Sequence, residues 1–191
     1  MGIFQGNSAR ISAVILGSCL LLMSLLSCKE PVERFGPIYD GSAMWALEKA
    51  QPVINGFASD SKIYSILGAM IMKSGRLPAN TGTWSFISWS PSLEQECQVT
   101  IDCQGNATKS IRASENPPHS ASGGVLPEGW VNSLMVFSSI PSDQTSANYA
   151  TLVVFNFTNF SQAPNLAVWG INFGGGRNQL VKWDGQYLGP Q

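Results

Sequence analysis

Charge is scarce in this chain. Lys, Arg, Asp and Glu together make up 12% of 191 residues, about half the usual globular share, and the formal net charge is −1. That balance supplies no long-range attraction for nucleic acid or an anionic surface, so neither is expected as a partner. Histidine is nearly missing: His119 is the only one. A histidine-dependent triad or a multi-histidine metal site is hard to build from it. Cysteine is limited to Cys19, Cys28, Cys97 and Cys103. The longest apolar run, Ile11 to Leu26, falls short of the ~20 residues that span a bilayer. What is present instead is Ser, Thr, Asn, Gly and six Trp, a composition suited to a secreted β-rich protein.

The amino terminus reads as a targeting segment. Arg10 precedes the apolar run, which has the length of a signal-peptide core. It ends in Leu25-Leu26-Ser27-Cys28, which resembles the bacterial lipobox. The resemblance implies cleavage before Cys28 and an acyl anchor on that cysteine. Lys29 follows, where Asp would imply inner-membrane retention, so the outer membrane is favoured where the cell has one. Residues 1–27 are thus expected as a lipoprotein signal peptide and 28–40 as a tether, with Pro31, Pro37 and mixed charges.

The rest of the chain repeats itself. Trp45 and Trp130, Ser61 and Ser146, Tyr64 and Tyr149, Leu67 and Leu152, and Trp84 and Trp169 all stand 85 positions apart. Val99 and Val181, like Asp102 and Asp184, stand 82 apart, which predicts a second hairpin connection three residues shorter. Two copies make a pseudo-symmetric pair and not a solenoid.

In the first copy, Asp40 or Ser42 caps a helix from about Ala43. Ala43, Ala46, Leu47, Ala50, Val53, Ile54 and Phe57 supply its apolar stripe, and Pro52 should kink or shorten it. Strands are expected over 62–72, 84–90 and 96–103. Glycines, prolines and serines make 106–129 a linker. In the second copy Asn132 caps a short helix, 150–157 is the clearest strand, and 165–173 with 179–188 forms the closing hairpin.

The stretches Ala46 to Ala50, Asp60 to Ile66, Trp84-Ser-Phe and Val99-Thr-Ile-Asp-Cys-Gln-Gly105 carry a resemblance. The pattern resembles PepSY-like modules of bacterial secreted proteins, in which one helix crosses a three-stranded antiparallel sheet. It covers residues 42–105 and, more weakly, 127–191. The expected fold is therefore α+β: two pseudo-repeats, 41–105 and 130–191, each one helix packed on a three-stranded antiparallel sheet. The resemblance implies that Asp102 and Asp184 start turns and are not catalytic.

Few residues remain for chemistry. Cys97 and Cys103 lie on one predicted strand about 20 Å apart, beyond disulfide reach unless residue 97 sits in a turn. The pairs Glu94/Glu96 and Asp102/Asp184 are the carboxylates that an acid/base hydrolase would need. Gly174-Gly-Gly joins two strands, so it lacks the helix N-terminus of a phosphate cradle. Trp89 and Trp183 have no aromatic counterpart in the other copy and are the candidates for gripping a partner. The expectation is a non-catalytic, lipid-anchored envelope protein that binds an envelope partner, without metal or cofactor. One alternative is a protease-modulating protein, since PepSY-like modules occur in propeptides and the tandem plan more loosely resembles β-lactamase inhibitory proteins. The other is a carboxylate-dependent hydrolase.

Overall fold

The computed structural model describes residues 40–114, 124–145, 147–160, 163–174 and 178–191. Helix α1 (Ala43–Asn55) precedes strands β1 (Lys62–Met72), β2 (Thr83–Ser90), β3 (Gln95–Asp102) and β4 (Ala107–Ala113). Helix α2 (Ser133–Ser139) precedes β5 (Tyr149–Phe160), β6 (Ala163–Asn172), β7 (Asn178–Lys182) and β8 (Tyr187–Pro190). All of them join one eight-stranded sheet in the order β4-β3-β2-β1-β5-β6-β7-β8, and every neighbouring pair is antiparallel.

This corrects the expectation of two helix-on-three-strand repeats. The described residues fold around one large antiparallel sheet with two α-helices, and the plan that the PepSY-like resemblance implied is not theirs. Two strands escaped sequence reading. The stretch expected as linker, 106–129, contributes β4, whose seven residues are all exposed and so carry no apolar alternation. The stretch 179–188 is two strands, because Trp183-Asp184-Gly185 turns the chain between β7 and β8.

The 85-residue offset nevertheless recurs in the register. Adding 85 to one partner and subtracting it from the other turns the β1–β5 pair Leu67–Val154 into Leu152–Ala69, and Ser65–Asn156 into Ala150–Ile71. Gly68 and Val153 exchange places with each other, so a pseudo-twofold axis passes through that pair. Beyond β2 and β6 the offset is 80, not 82. Trp84 faces Ile101 and Trp169 faces Val181, and the β3–β4 and β7–β8 turns close alike. In them Asp102 N donates to Asn106 O and Lys182 N to Gln186 O, around Gly105 (φ 84°) and Gly185 (φ 93°). The first hairpin is longer because β2 and β3 carry three further pairs: Ser88–Cys97, Trp89–Glu96 and Ser90–Gln95. The helices begin at Ala43 and Ser133, 90 positions apart, so Trp45 sits inside α1 while Trp130 precedes α2. Their spacing of 85 does not mark equivalent sites.

Residues directly opposed across antiparallel strands share a face. The inner face presents Ile66, Trp84, Phe86, Val99, Ile101, Val153, Phe155, Trp169, Ile171 and Val181, all buried. Ala43, Ala46, Ala50 and Ile54 of α1 and Val136 and Phe137 of α2 join the same core. Ser42 caps α1, its Oγ accepting from Trp45 N at 3.2 Å. Pro52 lies within α1, which continues to Asn55. Asn132 flanks α2 but makes no cap bond to it. Instead its Nδ2 donates to Ser42 Oγ at 3.0 Å, and its Oδ1 accepts from Met44 N at 3.3 Å. Ser133 Oγ accepts from Ala43 N at 3.0 Å and donates to Gly75 O at 2.7 Å. The two helices thus meet N-terminus to N-terminus, and the side-chain oxygens of α2 satisfy the orphan N–H groups of α1.

At the axis the packing leaves no slack. A Cβ on Gly68 would lie 2.5 Å from Trp84 Cζ3 and 2.9 Å from Ile71 Cγ1. Trp84 and Trp169 meet edge to face there, centroids 6.4 Å apart. Gly68→Ala should therefore lower unfolding free energy by at least the ~1–3 kcal/mol typical of overpacking. Trp84→Phe on that background should recover part of the loss. Urea denaturation of the two variants and the parent checks both statements.

Candidate functional site

Among the described residues, both helices pack on the inner face of the sheet and none on the outer. Outer-face residues fall into cross-strand rows: Leu152–Asn172–Asn178, Val154–Gly170–Leu180 and Asn156–Val168–Lys182. These rows bound a cavity of about 200 Å³ lined by Leu152, Val154, Asn156, Val168, Gly170, Asn172 and Asn178. Leu152 is 47% exposed at its rim. Gly170 forms the floor: a Cβ there would meet nothing closer than Val154 O at 3.9 Å. A strand glycine with open space above it marks a place where another molecule can approach the backbone.

The equivalent positions of the first copy carry different side chains. Ser85 stands where the second copy has Gly170, and Thr100 where it has Leu180. The Ser85 and Thr100 hydroxyls hydrogen-bond at 2.7 Å and occupy that space.

Three carboxamides supply polarity without charge. Asn172 Nδ2 donates to Asn178 Oδ1 at 3.0 Å, and Asn172 Oδ1 accepts from Gly174 N at 2.7 Å. These bonds hold both amides in place. The Asn156 carboxamide lines the cavity and makes no hydrogen bond to another described residue. Such a lining offers shape, apolar contact and paired donor–acceptor groups. It holds no titratable group.

Trp89 and Trp183 are placed apart from this cavity and from each other. Trp89 lies on the part of the β2–β3 hairpin that the second copy lacks. It is half-buried, packs edge to face against Tyr64 at 6.3 Å, and donates from Nε1 to Ser114 O at 2.9 Å. Its indole reaches across β3, whose opposed Glu96 is only 2% exposed and binds Arg112 at 2.7 Å. Trp183 is half-buried in the β7–β8 turn. Its N donates to Ala167 O, its carbonyl accepts from Val131 N, and Lys182 Nζ lies 5.9 Å from its ring centroid. Both indoles have structural neighbours that hold them.

The carboxylates are turn formers. Asp102 Oδ1 accepts from Gln104 N at 2.8 Å and Asn106 N at 2.9 Å, and Oδ2 from Asn106 Nδ2 at 2.9 Å. Asp184 Oδ1 accepts from Gln186 N at 3.2 Å, and Lys182 Nζ lies 2.8 Å from Oδ2. Each occupies the turn of its own half. Glu94, at φ 49°, sits in the β2–β3 turn, while the buried Glu96 pairs with the exposed Arg112. Cys97 is buried and Cys103 half-buried, and both are free thiols. Burial pushes the Cys97 thiol up, which removes the thiolate a reaction would need. No cluster of three metal-ligating side chains occurs among the described residues. Cys28, His119 and most of the Gly174-Gly-Gly-Arg177 stretch lie outside the described residues.

Sequence reading missed the cavity. The signal was the mismatch between copies at Ser85 and Gly170, visible once the 85-residue offset is applied. No known protein family, no curated protein and no solved structure matches this chain.

The turns make a prediction about acid. The Asn106 side chain and backbone hold Asp102 below its ordinary 3.8, and the Ser90 hydroxyl with the Ser92 N–H does the same for Asp60. A folded value below the unfolded one stabilises the protein above 3.8 and is lost as pH falls through the lowered values. Urea midpoints should therefore fall as pH drops below about 3.8. The fall should be shallower in the Asp60→Asn/Asp102→Asn variant, whose turns no longer titrate.

Proposed function

We propose that this protein is a non-catalytic binding module of the cell envelope, held by an acyl chain on Cys28, and that it uses the outer-face cavity of the second half-sheet. The observation behind this reading is the pairing of an apolar wall with neutral amides over a side-chain-free floor at Gly170. Carboxamides present a donor and an acceptor side by side, the same set a peptide group presents in reverse. A cavity of about 200 Å³ is the scale of one or two apolar side chains, not of a cofactor. The ligand class is therefore a neutral, apolar segment of an extended polypeptide. The protease-modulating alternative rested on a helix-on-three-strand plan that this sheet does not have. The hydrolase alternative needs two carboxylates in one site, and Asp102 and Asp184 serve separate turns.

Random heptapeptides displayed on phage and selected on the full chain supply the probe. Enriched neutral peptides should bind Gly170→Leu at least ten-fold more weakly, since that side chain fills the floor. Equal binding to both would remove the reading. The anchor is tested apart from the cavity: the mature chain should begin at Cys28 with an acyl mass increment, and Cys28→Ala should move it from the membrane to the soluble fraction. An unmodified Cys28 in membrane-bound protein would contradict the anchor and leave the cavity reading intact.

A further inference from the structure

The two edges of the sheet are not alike. β8 is four residues long, its register with β7 shifts between Leu180 and Val181, Gly189 has φ 107°, and Pro190 has no N–H to donate. Those are the devices that blunt an edge against strand addition. β4, Ala107-Thr-Lys-Ser-Ile-Arg-Ala113, has no Gly, no Pro and an unbroken register with β3, every residue is exposed, and Lys109 and Arg112 are its only charges.

The hydrogen bonds around β4 fix which groups face out. Asp102 N donates to Asn106 O, and Ser114 N donates to Glu94 O. Bonded pairs recur at every second residue of an antiparallel ladder. Thr108, Ser110 and Arg112 therefore turn their backbone N–H and C=O toward β3. Ala107, Lys109, Ile111 and Ala113 turn theirs outward, where no described strand pairs with them.

The outward row is complementary to itself. Laid antiparallel against its own copy about Ser110, it sets Lys109 opposite Ile111, Thr108 opposite Arg112, Ala107 opposite Ala113 and Ser110 opposite Ser110. No like charges stand directly opposed, which is the pairing that costs most in a ladder. Arg112 keeps Glu96 of its own chain. Ile111, 44% exposed, would be covered by the aliphatic stem of the opposing Lys109.

We propose that β4 pairs with β4 of a second copy, running one sheet through both molecules. The blunted β8 edge stops growth at two, so the assembly is a closed twofold dimer and not a filament. The full chain in detergent micelles should sediment as a dimer. Ser110 would face its counterpart as a non-bonded pair about 4.5 Å apart between Cα atoms, within disulfide reach. Mild oxidation should then cross-link Ser110→Cys into a dimer, beyond any linkage in the unsubstituted chain, and leave Thr108→Cys unlinked. Ile111→Pro removes an outward N–H without touching the β3 ladder and should yield monomer. If that variant fails to fold, the contrast between Ser110→Cys and Thr108→Cys decides alone. A monomeric parent, a larger assembly, or a dimer in which the two cysteine variants cross-link equally would overturn the proposal.

Discussion

Gly68 has no side chain because the Trp84 ring occupies the place a Cβ would take. The rest of the fold depends on that exclusion. It lets β2 bring a buried indole over the centre of the sheet, where Trp169 of β6 meets it edge to face across the pseudo-axis. Trp169 is in turn stacked on Phe155, its cross-strand partner on β5, at 4.3 Å between centroids. β1 and β5 are thus joined by their ladder and by rings anchored on their outer neighbours. Neither half keeps a complete core alone, since the aromatic centre draws residues from both. The Trp84 N–H is satisfied by Gly41 O, whereas the Trp169 N–H is buried without an acceptor among the described residues. That costs about 1–3 kcal/mol, tolerable where ring contacts are dense.

The cavity lies where the two halves of the sheet differ. The two halves keep the same strand order, so equivalent positions can be compared one by one. Where one half closes its outer face with a Ser85–Thr100 hydrogen bond, the other removes the side chain at Gly170 and sets a carboxamide on either side. The same kind of divergence lengthens the first hairpin, where Trp89, Glu96 and Arg112 make a local cluster that the second half lacks.

Much of the architecture could be read from residues. α1, its Ser42 cap, β1, β2, β3 and β5 follow from alternation and capping signals that burial enforces. Strands that bury nothing leave no such trace: β4 hides inside a stretch that reads as linker. Composition also cannot say how many sheets strands will make, because the β1–β5 ladder is a contact between distant segments and its register shows only in pairing. The Asp102 and Asp184 turns were legible, although their equivalence was not: the matching turns put Lys182 opposite Asp102 in the comparison. Asn132 holds the N-cap position of α2, as expected, but its side chain bonds Met44 N and Ser42 Oγ at the start of α1, an arrangement set by the meeting of two helix ends. For the candidate site, tryptophan content pointed to Trp89 and Trp183. The opening is instead defined by a missing side chain, which no enrichment scan registers.

One ladder, β1 with β5, holds both halves in a single cooperative sheet. Native-state amide hydrogen exchange measures it directly. Leu67 to Ala69 and Leu152 to Val154 should be the slowest amides, should exchange only through global unfolding, and should share one opening free energy with the inner strands β2 and β6. If the β1–β4 amides instead opened with a free energy of their own, separate from β5–β8, the halves would be independent modules and the account would be wrong.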